Sequence, residues 1–447
     1  MAKILLLDPA GAMVDFGFRC MAEGHEVRQW IKPAKDGSQS PIGRGLVQRV
    51  INWQAYARQA DLIVLSDNAY QMRELEWFHE NGYPIVGTNQ LGAKLELDRS
   101  YGQEVMRKGG LSVMPSHEFT DYDKAIDFVK SNPKRYVSKP SGDADKALSY
   151  VSKSPADMVY MLERWKKASK NKSPFILQEF VGGIEVAVGG WLGTGGFSKW
   201  KCENFEHKKL MSGNYGPNTG EQGTVLRYLE SSELFDLTLK KFEDYLVCLG
   251  HTGYVDLAFI IDDKGEPRPL EWTTRPGWPL FNIQNSLHRV SVVDWMFDLV
   301  QGKDTLKVSH DIAAGIVVPI GDYPISKTTG RDHKGLPIYG LPKELDQRYA
   351  ICEVMVGNAP HDIEGEVKNI DCLVTAGDYV LIANGHGKTI KSASERAYKN
   401  VKAIDIPLNI NVRDDIGERL EHELPKLQAN GLCMDWQYDE VIEDGDE

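Results

Sequence analysis

At 447 residues the chain has room for roughly three domains of ordinary size, each with its own core. Its 42% hydrophobic and 26% charged fractions are those of a soluble globular protein. No apolar run approaches the ~20 residues needed to cross a bilayer, and a net charge of -12 disfavours nonspecific binding to nucleic acid. The expectation is a cytoplasmic protein, monomer or homodimer, with neither membrane nor nucleic acid as a partner. Six cysteines, at 20, 202, 248, 352, 372 and 433, show no CxxC spacing, which predicts reduced thiols and no zinc site.

In chain order, residues 1–95 alternate strand-like runs (Ile4 to Leu7, Leu62 to Leu65, Pro84 to Val86) with helical or loop stretches, the pattern of a small parallel α/β domain. A helix is predicted from Leu91 to Lys108, stopped at Gly109-Gly110. From Val113 to about Glu185 the order reads strand, helix, strand, helix, strand, with one polar, amphipathic helix over 157–170. Antiparallel strands and two helices, 232–249 and 285–299, fill the next stretch. The segment from Ile312 to Gly417 carries short strands and a helix from Ser392 to Ile404. The predicted domains are 1–95, 96–305 with a lid at about 113–180, 306–425, and an acidic tail at 426–447.

Polar residues at strand ends in the middle third suggest a nucleotide triphosphate site. Lys139 meets the polar loop 141–146, where a lysine neutralises phosphate charge and small residues let backbone N–H groups approach the oxygens. An ordinary strand-end lysine beside a turn would look the same. The strand Gln178, Glu179, Phe180, Val181 offers backbone groups to an adenine edge, and Glu185, beyond two glycines, offers a carboxylate to ribose hydroxyls. Asp256 and Glu271 lie on strands joined by the turn 262–265. Such hard oxygen donors suit Mg2+, or Mn2+, held between protein and triphosphate; a surface hairpin with exposed acids is the competing reading. Arg275 leaves the Glu271 strand at once and is placed to grip a phosphate or carboxylate, or else to form a structural salt bridge. Gly216-Pro217-Asn218-Thr219-Gly220 is expected to be a rigid loop closing over a small acyl group, with Lys208 and Lys209 adding positive charge before it.

The ordered series resembles the ATP-grasp superfamily, and within it the phosphoribosylamine-glycine ligases. That family carries Asp-His-Lys-Arg leading to Gly-Pro-Asn-Thr-Gly-Gly-Met-Gly; here Glu206-His207-Lys208-Lys209 leads to Gly216 to Gly220, Glu221, Gln222 and Gly223. Val380 to Ile390 and Arg413-Asp414-Asp415-Ile416-Gly417 follow its closing pattern. The resemblance implies a multidomain α/β and α+β ATP-grasp fold, with an N-terminal parallel α/β domain and a small C-terminal α/β domain. It also implies ATP and Mg2+ as cofactors, and amide formation between a small, glycine-like amino acid and an amine through an acyl phosphate. By resemblance Lys139 and Lys208 hold phosphates, 178–181 the adenine, Glu185 the ribose and Glu271 the metal. Arg275 and Lys208 take the catalytic roles; Glu206, Asn218, Thr219, Gly220 and Arg275 face substrate; Asp256 and Thr273 join the metal set. Four departures stand out. Thr273 replaces the family's metal-binding Asn, Trp278 stands in its Arg-x-Gly-Asp segment, and Asp8 to Gly17 replaces its Gly-Gly-Arg-Glu-His-Ala loop. Ser66-Asp67-Asn68 replaces its Gly-Pro-Glu. These changes leave room for a different, non-phosphoribosyl amine, or for a noncatalytic nucleotide-binding protein.

Overall fold

The computed structural model describes residues 1–70, 72–140, 149–168, 174–321, 323–324, 333–407 and 410–440. The polar loop 141–146 lies outside them. The first sheet has five parallel strands in the order Gln48–Arg49, Glu26–Trp30, Lys3–Leu7, Leu62–Leu65, Ile85–Val86. Alternation sends Ile4 and Leu6 into one core and Leu5 and Leu7 into another, so both faces of the sheet are covered, as a parallel sheet requires.

The helix expected over 91–108 is two, Gln90–Leu97 and Arg99–Lys108. Asp98 takes an extended backbone, and its carboxylate accepts the Tyr101 N–H at 3.0 Å. An acid able to cap the next turn breaks a run that periodicity alone would continue. The helix expected over 232–249 also breaks, at Thr238, whose hydroxyl donates back to the Leu234 carbonyl. That expected over 285–299 becomes Leu280–Leu287 and Asp294–Val300, parted where His288 turns extended.

A four-stranded antiparallel sheet, ordered Ser116–Phe119, Phe175–Glu179, Tyr136–Pro140, Tyr150–Val151, packs on the helices Tyr122–Ser131 and Pro155–Ala168 through Val129, Leu162, Trp165 and Leu177. The largest sheet has eight strands. Its order is Pro267–Thr273, Gly253–Ile261, Ile184–Gly193, Gly196–Met211, Tyr215–Leu229, Ile312–Pro319, Tyr379–Gly387, Tyr349–Ile351, and neighbours run antiparallel. One sheet thus runs through both 96–305 and 306–425. One of its faces sends Val186, Val188, Phe205, Val225, Leu257 and Trp272 into a core shared with the helices Arg99–Lys108 and Leu420–Gln428. Residues of the opposite parity form the site.

Three local expectations change. The run 216–220 is not a loop. It opens the strand Tyr215–Leu229, behind the tight turn Ser212–Asn214, because paired strands satisfy backbone groups that a loop would leave to water. The helix expected over 392–404 spans Ile390–Val401, started by a capping box between Thr389 and Ser392. The segment after 425, expected as an acidic tail, buries Leu427, Leu432 and Trp436, and the Trp436 indole donates to the Glu203 carboxylate at 2.6 Å. Residues 441–447 lie outside the described residues.

Candidate active site

Strand register builds the site. Asp256 pairs with Thr273 and with Gly189, Ala258 pairs with Glu271 and with Ala187, and Ala187 pairs with Asn204. Side chains of directly opposed residues share a face. Alternation then puts Glu271, Thr273, Asp256, Glu185, Asn204, Glu206 and Lys208 on one side of the sheet. His207 points the other way, buried, its Nε2 accepting the Gly417 N–H at 3.2 Å.

Lys208 is the hub. Its ammonium lies 2.8 Å from Glu185, 3.0 Å from Glu206 and 4.0 Å from Glu271. Desolvation in the cleft works against its charge, but the three carboxylates outweigh it and hold the ammonium well above its usual range. Lys139 is buried, with Nζ 3.4 Å from the Leu270 carbonyl oxygen. Burial, together with Arg99 and Lys208, pushes it down to about 8 against the pull of Glu271. Desolvation raises Glu271, yet Arg99, Lys208 and Lys139 prevail and keep its carboxyl far below the ordinary range. Asp256 is buried; it accepts from Asn204 Nδ2 at 3.0 Å and Tyr254 OH at 3.3 Å. Burial and the nearby Glu206 push it up to about 7.

Arg275 does sit beside this group, but it is paired with Glu96 at 3.1 Å. The same Glu96 accepts from Asn68 Nδ2 at 2.7 Å and from the Thr274 N–H at 2.9 Å. The loop 66–68 is thereby fastened to the strand end, and the Trp278 indole donates to the Ser66 carbonyl at 3.2 Å. Glu179 pairs with Lys134 at 2.7 Å, and the Phe180 ring lies under the Arg135 guanidinium at 3.6 Å. Gln178 is buried in the strand, its Nε2 without a hydrogen-bond partner among the described residues. Glu185 follows Gly183, whose φ of 148° and close approach to the Ile261 carbonyl oxygen leave no space for a Cβ. Thr219 is buried and donates to the Lys208 carbonyl at 2.9 Å, whereas Asn218 and Gly220 are exposed.

Four residues of the neighbourhood escape sequence reasoning. Arg99, the first residue after the Asp98 break, reaches Glu271 at 2.9 Å and the Pro140 carbonyl at 2.9 Å. Glu96 binds Arg275. Glu221 and Gln222 are buried beside Glu206 and Lys208. The only signal for the last two was the substitution of an acid and an amide for glycine and methionine in an otherwise matching motif. The closing Arg413 and Asp415 have a structural task. Buried Arg413 bonds Asp415, the Lys209 carbonyl at 3.0 Å and Asn214 at 3.0 Å, which holds the hairpin tip beyond Lys208.

Among the described residues no three acidic, His or Cys side chains converge as a metal cage. Mg2+ ordinarily takes one or two carboxylates and completes its shell with phosphate oxygens and water, and a single strongly ionised Glu271 flanked by Thr273 fits that use. No helix among the described residues is long and apolar enough to cross a membrane.

No family model matches the chain. It is 24% identical over 368 residues to the phosphoribosylamine-glycine ligase of Chlorobaculum tepidum, covering 76% of this chain and 80% of the relative. Among solved structures, the phosphoribosylamine-glycine ligase of Thermotoga maritima aligns with a TM-score of 0.70 at 20% identity, over 93% of this chain and all of that one. The MgADP-bound biotin carboxylase domain of the Hydrogenobacter thermophilus 2-oxoglutarate carboxylase aligns with a TM-score of 0.61 at 13% identity, over 95% and 98%. The chain has the ATP-grasp fold of these proteins.

Proposed function

We infer that the chain is an ATP-dependent ligase that joins the carboxylate of a small, glycine-like amino acid to an amine, through an acyl phosphate. One observation carries the reading: Lys139, Lys208 and Arg99 converge around the ionised Glu271, on the sheet face that the resemblance assigns to the triphosphate. Arg99 and Lys139 both draw on Glu271, while Lys208 is shared among Glu185, Glu206 and Glu271, so like charges crowd together on both sides of the cluster. The three cations suit a site whose charge is completed by a bound polyanion and its metal.

Glu271, with Thr273 beside it, would hold Mg2+, which supplies neutralisation of charge on the phosphate oxygens. Lys139 and Lys208 would neutralise the phosphates from the protein side. The backbone of 178–181 would take the adenine and Glu185 the ribose, with Lys208 exchanging its present bond to Glu185 for phosphate. The reaction has two displacements. A carboxylate oxygen of the amino acid attacks the γ-phosphorus and ADP leaves; the amine nitrogen then attacks the acyl carbon, phosphate leaves, and the nitrogen loses a proton. Phosphate is a far better leaving group than oxide, so one hard step becomes two easier ones. Arg275, anchored by Glu96, would orient the acyl phosphate from the strand end.

The test is ADP release from MgATP and glycine across a panel of amines, phosphoribosylamine generated in the assay among them. Release that needs both amino acid and amine supports the reading. Nucleotide binding with no substrate-dependent release at any member of the panel assigns the chain to noncatalytic nucleotide binding.

A further inference from the structure

The polar face does not end at Lys208. Thr224 stands opposite Glu206 in the strand register, and alternation places Gln222 beside it. Asn204 lies two residues before Glu206 on the same face. Among the described residues, both amide atoms of Gln222, the Thr224 hydroxyl, Asn204 Oδ1 and Glu221 Oε1 lack a hydrogen-bond partner. Yet Gln222, Thr224 and Asn204 are 0% exposed and Glu221 is 5% exposed. Buried polar atoms of native proteins are nearly all paired, so orphans on the Glu206 face, at Asn204, Gln222 and Thr224, with Glu221 close to Glu206, mark a place where another molecule completes the bonds. The charges acting there come from Glu206, Glu185, Asp256 and Glu221, with Lys208 as their counter-charge.

A second, independent observation concerns the N-terminal sheet. A helix start after the first strand of a parallel α/β sheet is an ordinary place for a ligand phosphate, because free N–H groups point there. Here the chain fills that place itself. The buried Asp8 carboxylate accepts the Ala12 N–H at 2.9 Å, the Met13 N–H at 2.7 Å, the Ser66 hydroxyl at 2.7 Å and Gln29 Nε2 at 2.6 Å, immediately before the helix Val14–Ala22. Four donors are committed to an internal anion, and a phosphate entering would have to displace it.

We propose that the face formed by Asn204, Glu206, Gln222 and Thr224, with Glu221 close to Glu206, is the amine subsite, and that it takes a phosphate-free amine carrying several O–H or N–H donors. The class includes amino alcohols, amino sugars and diamines. The proposal rests on the ligase reading for the word amine, while the orphaned groups and the occupied Asp8 cradle stand without it.

The experiment is calorimetric titration of the full chain, saturated with a nonhydrolysable MgATP analogue, with matched compounds. These are glucosamine and glucosamine 6-phosphate, ethanolamine and phosphoethanolamine, and 1,3-diaminopropane. The expected result is binding at least tenfold tighter for a phosphate-free member than for its phosphorylated counterpart, the sugar and diamine arms separating hydroxyl from cation recognition. Glu221→Gln and the nearly isosteric Gln222→Met each weaken that binding fivefold or more; should the first fail to fold, the second carries the test. Tighter binding of a phosphorylated member, no binding by any phosphate-free member, or unchanged affinity in Gln222→Met overturns the proposal. Glycine hydroxamate formation with MgATP and hydroxylamine, measured on the same protein, reports the ligase chemistry separately, so the two failures are distinguishable.

Discussion

Among single residues, Lys139 gives the sharpest pH signature. Its ammonium titrates near 8, below the usual ~10.4 of a lysine, because burial and two neighbouring cations disfavour the charge. Between these values the folded chain holds fewer protons than the unfolded one, so this group's contribution to stability rises with pH across that window. Function moves the other way. Above about pH 8 Lys139 loses the charge that neutralises phosphate, and kcat/KM for ATP is expected to fall along a limb with that midpoint. Lys139→Arg, which stays charged, should shift the limb upward by a pH unit or more; an identical alkaline limb in the variant rules Lys139 out as its source. Lys139, Glu185, Lys208 and Glu271 were legible in the sequence from their order along the chain. Arg99 and Glu96 were not, since a cation and an acid on a polar helix look like solvent-facing residues until the fold brings them to the strand end.

Breaks between elements were harder to read than the elements themselves. Three of the five parallel strands announced themselves as apolar runs, whereas Glu26–Trp30 and Gln48–Arg49 did not, and the helix Pro155–Ala168 showed as a periodic one. The interruptions at Asp98, Thr238 and His288 were missed because each falls inside a stretch whose periodicity continues across it, and at Asp98 and Thr238 what decides is a side chain bonding backbone locally. At Asp98 this matters for the site, because the break makes Arg99 the first residue of its helix and aims it at Glu271. Asp98→Ala is expected to cost about 1 kcal/mol, the usual worth of such a cap, seen as a lower urea midpoint with unchanged slope. It should also raise KM for ATP as Arg99 loses its fixed position. An unchanged KM would separate the cap from the site. The hairpin tip shows the opposite failure: Gly216 to Gly220 carries loop-like residues, yet pairing with the preceding strand makes it extended.

For the whole molecule, the eight-stranded sheet could not be foreseen from composition or local pattern. Residues 223–227 pair with 312–316, and 312–319 with 379–387, across nearly a hundred residues of sequence in the first case. Sequence distance hides such pairings because every strand looks complete by itself. A chain ended at 305 would leave Val225 and Leu226, both 0% exposed, on an unpaired strand edge, and exposed apolar edges associate. That fragment is expected to aggregate or to lack a cooperative unfolding transition. A soluble 1–305 fragment with native-like near-ultraviolet dichroism would show that the central strands form a sheet without the C-terminal ones.

The central claim is that the cluster around Lys208 and Glu271 activates a carboxylate with ATP. Hydroxylamine traps an acyl phosphate whatever the natural amine is, so the direct measurement is hydroxamate formation with MgATP across the small amino acids. The account predicts hydroxamate in step with ADP for at least one of them, glycine first, reduced a hundredfold or more in Lys208→Met and Glu271→Gln. ATP binding without hydroxamate from any amino acid would contradict it.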